Sequence, residues 1–249
     1  MGNVIILGDG GLGRAVESAF REHSSQANRF DEIHVLGRPP SGRHDPADLG
    51  EPDLVVEASR PEAVASNLDA AMAAGARRVI VATTGWADDR ARVERRLREN
   101  GAAAVTAPNF SLGVVLFGRL VEAAVELFGP LEAFDPYLLE WHRRAKRDRP
   151  SGTAIDLARR IAERHPRLAS ANDLEVVSVR AGSSPGMHLV GFDAAGESVE
   201  LRLTARDRSA YAAGILAAAG WLERRPREPG LHSFDLVVDE LVGRQPIAA

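Results

Sequence analysis

Short apolar runs alternate with amphipathic stretches through the first half of the chain. Residues 4–7 form an unbroken apolar run, the pattern of a strand buried on both faces. Residues 12–20 carry apolar positions at helical spacing, and residues 32–38 return to a strand pattern. Further strands are expected at 53–57, 78–82 and 103–106. Helices are expected at 62–74, where Gly75 is placed to end the element, and at 88–99. This rhythm predicts an α/β unit with a parallel, doubly wound sheet. Ligands of such sheets bind beyond the carboxyl ends of the strands, which puts loops 8–13, 59–61, 83–86 and 108–113 on the binding edge.

The second half has a different pattern. After a helix over 116–128, residues 134–141 read as a strand whose alternation puts Glu140 and His142 on one face and Trp141 and Arg143 on the other. A helix follows over 153–164, with Asp156 spaced from Thr153 like the acid of a capping box. Residues 174–180, 187–193 and 198–206 read as strands of an antiparallel sheet, the last two joined by a turn at 194–197. A final helix is expected over 210–223. Trp141 and Trp221 are expected in cores, and Trp86 beside a cofactor crevice. His23, His34, His44, His165 and His232 are expected at the surface, because none has ligand spacing. His188 is expected either to pack or to join a site.

Candidate chemistry begins in the loop after the first apolar run, Gly8-Asp-Gly10-Gly11-Leu12-Gly13. Gly8 permits a tight turn, Gly10 lets a pyrophosphate approach the backbone, and Gly13 allows close helix–strand packing. Between a strand and a helix this spacing predicts dinucleotide binding. Where NAD-binding chains usually carry an acid for the ribose, this one has Gly37, followed by Arg38 and then Arg43. Arginine in place of an acid favours a 2′-phosphate, hence NADPH, with NADH as the alternative.

The stretch from Glu140 to Ala154, EWHRRAKRDRPSGTA, sets a histidine, a lysine and several arginines ahead of a Pro-Ser-Gly-Thr helix start. Oriented N–H groups at a helix start favour a carboxylate or phosphate. His142 and Lys146 are suited to acid catalysis or charge stabilisation beside it. Composition narrows the partners. The chain has 249 residues, 45% apolar, with a formal charge of −4 and no cysteine. No global basic field suggests nucleic acid or an anionic membrane, and disulfides and thiolate metal sites are excluded. No apolar run approaches a membrane span, and no charged segment precedes the first apolar strand, so a cytoplasmic protein without a metal is expected.

These motifs together resemble the dihydrodipicolinate reductase family. The likeness covers the run from Glu140 to Ala154, the Thr83-Thr84-Gly85-Trp86 loop, Asn109-Phe110-Ser-Leu-Gly113, Arg180-x-Gly182, Pro185-Gly-x-His188, Phe192-Asp-x-x-Gly-Glu197 and Ala218 to Leu222. The resemblance implies a Rossmann domain over 1–112 and 209–249. It implies a central α+β domain over 113–208, with an open mixed sheet that binds substrate and assembles a homotetramer. It implies reduction of 4-hydroxy-tetrahydrodipicolinate by NAD(P)H in lysine and diaminopimelate biosynthesis. His142 and Lys146 would then be catalytic, while Arg143, Ser151, Gly152 and Thr153 would bind a substrate carboxylate. Gly8, Gly10, Gly11, Leu12, Gly13, Arg38, Thr83, Thr84, Gly85, Pro108, Asn109 and Phe110 would hold the cofactor.

Three departures from the family pattern stand out. Arg143 replaces the second histidine of a His-His pair, the glycine loop is one residue shorter, and the segment between the 153–164 helix and Arg180 lacks a glycine- and arginine-containing loop. They keep open a relative acting on another carboxylated cyclic imine. A non-catalytic NADP sensor is the other alternative, although it has no chemical need for His142, Lys146 and Ser151–Thr153 together.

Overall fold

The computed structural model describes residues 2–27 and 30–243. The chain forms two compact units, one of Met1–Leu112 with Arg208–Ala249 and one of Gly113–Asp207.

In unit one the elements are β1 (Gly2–Leu7), α1 (Gly11–Ala27), β2 (Phe30–Leu36), α2 (Pro46–Leu49), β3 (Leu54–Glu57), α3 (Val64–Ala73), β4 (Arg78–Val81), α4 (Arg90–Glu99) and β5 (Ala103–Thr106). They form a parallel sheet of order β10-β5-β4-β3-β1-β2, in which β10 (Gly230–Ser233) arrives from the end of the chain. Every residue of β3 and β5 is buried, the physical origin of their unbroken apolar runs. Chain order reverses between β1 and β3, and there a parallel sheet opens a crevice at its carboxyl edge. Two hydrogen bonds of 2.8 Å, Gly8 N–H to Leu36 O and Ala58 N–H to Leu7 O, tie the three strand ends that border it.

Several sequence expectations change here. Helices α3 and α4 each begin with a 3₁₀ turn, at Pro61–Ala63 and Ala87–Asp89, and α1 extends to Ala27. Neither β10 nor the following α8 (Phe234–Leu241) is among the expected elements, although Ser233 caps α8 and its buried Phe234, Val237 and Val238 have helical spacing. β10 depends on tertiary partners: it pairs with β5, and its Leu231 N–H donates to Glu94 at 2.9 Å. Arg227 braces the same region, its guanidinium 3.4 Å over the Trp221 ring and bonded to Glu240. Trp221 is buried beside it, as expected, in α7 (Ser209–Arg224).

Unit two contains α5 (Leu112–Phe128), β6 (Asp135–His142), α6 (Gly152–Arg164), β7 (Glu175–Arg180), β8 (Gly186–Ala194) and β9 (Glu197–Ala205). Its sheet has the order β7-β6-β8-β9. The pairs β6–β8 and β8–β9 are antiparallel, but β7 runs parallel to β6, which corrects the antiparallel reading of 174–180 and gives the mixed sheet that the resemblance implies. The reason is the crossover: α6 separates β6 from β7, and a helical connection returns the chain in the same direction. One sheet face packs Leu138, Val190 and Phe192 against Val121 and Val125 of α5 and Leu157 and Ile161 of α6. The opposite face leaves Trp141 39% and Val177 43% exposed. Trp141 is therefore not the core residue expected.

Two smaller corrections concern α6. Its N-cap is Ser151, whose hydroxyl accepts from Ala154 N–H at 3.2 Å. Asp156 plays no capping part and instead binds Arg159 and Arg160. His165, the C-cap of α6 and expected at the surface, is buried, its ring lying where a Cβ on Gly129 would come within 3.2 Å of it.

Candidate active site

Unit one builds its crevice by leaving out side chains. Gly8 adopts a φ of +119°, and a Cβ there would lie 2.5 Å from Ala58 O. A Cβ on Gly13 would lie 1.8 Å from Gly8 O, so α1 can start this close to the loop only with glycine. Gly10 has nothing within 4 Å of such a Cβ, the open approach that a pyrophosphate requires. Gly11 faces the Arg208 guanidinium. Gly8, Gly10 and Arg38 line a cavity of about 660 Å³ together with Arg43, Ser59 and Arg60. The cradle and its arginines fit a phosphorylated dinucleotide.

The other cofactor candidates fall in two smaller hollows of the same unit. Thr83, Thr84, Gly85 and Pro108 line one of about 320 Å³, whose wall includes the buried Trp86. Leu12, Pro108, Asn109 and Phe110 line one of about 180 Å³ with Tyr211. Only Pro108 belongs to both.

One buried charge here was missed in the sequence. Glu57, at the end of β3, has no exposed surface and accepts from Ser59 N–H at 2.9 Å, Asn67 at 2.7 Å and Thr83 at 3.1 Å. Burial pushes its carboxyl above the ordinary range, against the pull of those donors. Thr83 is thus committed to the scaffold through its hydroxyl. A strand that ends in an acid amid apolar residues was the available signal.

In unit two, strand alternation turns Glu140 and His142 to the same side of β6, and the antiparallel register sets His188 of β8 opposite Glu140. Glu140 is fully buried, and His142, His188 and Ser151 are nearly so. Glu140 Oε1 accepts from Ser151 N–H at 3.0 Å, the Ser178 hydroxyl at 2.6 Å and Arg180 at 2.7 Å. Oε2 stands 3.1 Å from His142 Nε2 and 3.7 Å from His188 Nε2. The closer pair of atoms meets without hydrogen-bond alignment, and neither finds another partner. Ser151 Oγ lies 3.2 Å from His188 Nε2, linking the imidazoles to the start of α6.

Burial alone would raise the Glu140 pKa, yet its donors outweigh that effect and hold it at about 2. Burial lowers His142; Glu140 pulls it back up, and Lys146 pushes it down again. Burial, then the adjacent His142, bring His188 to about 4. The nearest polar atoms of Glu140, His142 and His188 lie within 4.8 Å of one another, a spacing that couples the charges of the carboxylate and the two imidazoles.

Lys146 pairs with Asp148 at 2.7 Å, and the Asp148 carbonyl accepts from Arg180. Gly152 and Thr153 open α6, where the first N–H groups lack intrahelical acceptors. Arg143 is exposed and takes no part in the Glu140 network. Ser178 and Arg180 are the residues whose part in this cluster the sequence did not reveal, and of the two readings of His188 the structure favours membership of the site. Only strand register brings them to Glu140.

Residues 3–110 match the family model described as the N-terminus of dihydrodipicolinate reductase, and residues 113–238 match the one described as its C-terminus. The 4-hydroxy-tetrahydrodipicolinate reductase of Christiangramia forsetii is 31% identical over 230 residues, covering 89% of this chain and 92% of that protein. The enzyme of the same name from Rhodopirellula baltica is 33% identical over 249 residues, covering 90% and 85%. Among solved structures, the dipicolinate-bound dihydrodipicolinate reductase of Paenisporosarcina sp. TG-14 superposes with a TM-score of 0.71 at 21% identity, over 94% of this chain and 97% of that one, a likeness of fold. With both halves matched in order and relatives of this similarity over nearly the whole chain, the protein belongs to the dihydrodipicolinate reductase family.

Proposed function

We propose that this protein reduces 4-hydroxy-tetrahydrodipicolinate to tetrahydrodipicolinate with a nicotinamide cofactor, in lysine and diaminopimelate biosynthesis. The observation that carries the reading is the cluster in which Glu140 and His188 join His142 to the Ser151-capped start of α6, in a chain whose two halves match this reductase family. When bound, the cofactor supplies a hydride to the ring of the substrate.

The chain's own residues supply position and charge. Ser151, Gly152 and Thr153 receive one carboxylate on the first turn of α6, where N–H groups and the macrodipole favour an anion. Lys146 leaves Asp148 to stabilise negative charge on the substrate, and His142 donates the proton that accompanies the hydride. Arg143 offers a guanidinium to the second carboxylate when the exposed loop folds over it. Arg38 and Arg43, lining the large crevice, support NADPH as the preferred reductant over NADH.

The exposed Trp141 and Val177 support a homotetramer assembled through this sheet. No described helix is long and apolar enough to cross a membrane. We assign the protein to the cytoplasm on the strength of its biosynthetic role.

The test is oxidation of NADPH, and of NADH in parallel, by the purified protein while dihydrodipicolinate synthase generates substrate in place. Enzyme-dependent oxidation with both proteins present is expected. Cofactor binding without oxidation would overturn the substrate and favour another carboxylated cyclic imine, with Arg143 as the determinant to examine.

A further inference from the structure

Glu140 is fully buried, and its two oxygens are used unequally. Oε1 takes all three donors: the Ser151 N–H, the Ser178 hydroxyl and Arg180. Oε2 takes none, and the nearby His142 Nε2 is likewise without a partner. A buried carboxylate oxygen left without a donor has lost its hydration with nothing in exchange. A group that served only to anchor β6 to β7 and α6 would gain by sharing its donors between both oxygens. Instead the bare oxygen faces two imidazoles, His142 Nε2 at 3.1 Å and His188 Nε2 at 3.7 Å.

We propose that Glu140 is the positioning residue for His142: clamped through Oε1, it presents Oε2 to the His142–His188 pair, orients the His142 ring and keeps a proton on it. This rests on the reading of His142 as the proton donor. The groups that face His142 divide cleanly. Lys146 and Arg180 oppose a positive ring, and His188 opposes it when protonated; Glu140 alone among the charged groups supports it, since Asp148 is paired with Lys146. His142 Nδ1 lies 3.4 Å from the Pro185 carbonyl, so both ring nitrogens have an acceptor nearby, which opposes the burial that lowers the ring's pKa. Only glycine leaves the ring this space, because a Cβ on residue 186 would lie 3.0 Å from His142 Cε1. In turnover the imidazolium N–H bond breaks as the proton passes to the substrate, the ring becomes neutral, and solvent returns the proton after product leaves. The Ser151 hydroxyl, 3.2 Å from His188, connects this pair to the carboxylate site at α6.

The test is Glu140→Gln in the full-length holoenzyme. Glutamine keeps the size and can still accept from the three donors, but it turns an N–H group toward His142 Nε2 and favours the neutral ring. Turnover should fall roughly 10- to 100-fold with little change in KM for the cofactor. The basic limb of the kcat profile should move to lower pH, as should the His142 titration followed by nitrogen NMR. A folded variant with unchanged turnover and an unmoved His142 titration would overturn the proposal while leaving the proton-donor role of His142 intact. Full activity in His142→Ala would overturn both.

The variant also leaves Arg180 uncompensated, so the unsubstituted enzyme provides a second measurement. A proton on His142 Nε2 at neutral pH is expected in its NMR spectra, and a proton on Nδ1 alone would overturn the proposal.

Discussion

The crevice after β1 depends on atoms that are absent, whereas the cluster beside β6 depends on charges that are gathered. In unit one, Gly8, Gly10 and Gly13 give space for a ligand and for the close approach of α1, all within one loop. In unit two, Glu140, Ser151, Ser178, Arg180 and His188 come from separate segments and meet around one buried carboxylate. The first arrangement recognises a ligand mainly through backbone and shape. The second arranges protons and charge. Substitutions should therefore damage binding in one unit and turnover in the other.

The strongest test of that separation is His142→Ala. Turnover should fall by about 10²- to 10⁴-fold, the usual range for a lost general acid, with the Kd for NADPH unchanged in a fluorescence titration. Parallel loss of both would join what the comparison separates.

Gly13→Ala should produce the converse. Its Cβ would lie 1.8 Å from the Gly8 carbonyl, so loop and helix must part, at a cost of about 1–3 kcal/mol. The Kd for dinucleotide should rise about tenfold or more, with kcat retained at saturating cofactor. Gly10→Ala sharpens this result. Its Cβ meets nothing within 4 Å, so the melting temperature without cofactor should not move, although affinity falls.

A smaller effect is expected from Arg38→Ala. Losing a charge-assisted contact to a 2′-phosphate should weaken NADPH about tenfold and leave NADH unaffected, as read by calorimetry. Equal weakening of both would remove Arg38 from the phosphate site.

The remaining effect is one of pH, and it has opposite signs in the two units. Glu57 has its pKa raised by burial, so its contribution is present at low pH and fades as pH rises through the folded-state value. Glu140 and His188 have theirs depressed, to about 2 and about 4. The His188 contribution is complete above its ordinary value of 6.5 and is lost as pH falls toward 4, on the order of 3 kcal/mol at most; that of Glu140 follows at lower pH. Hydrogen exchange compared near pH 7 and pH 5, corrected for intrinsic rates, should show β6, α6 and β8 losing protection before β1, β3 and β5. The reverse order would contradict the burial assigned to these groups.

The sequence alone determined what short-range sterics and periodicity control. The glycine spacing after β1, the unbroken apolar runs of β3 and β5, the shared face of Glu140 and His142 and the anion-suited start of α6 all follow from a few neighbouring residues. Tertiary structure decided the rest. The parallel pairing of β7 with β6 brings Ser178 and Arg180 to Glu140, and the antiparallel register of β8 sets His188 opposite it. Pairing with β5 likewise makes a strand of 230–233. Trp141 was misjudged because alternation tells which residues share a face but not which face is covered. Side-chain direction repeats every second residue and is written locally, whereas register depends on which strand arrives alongside, a choice made by residues about 40 positions away.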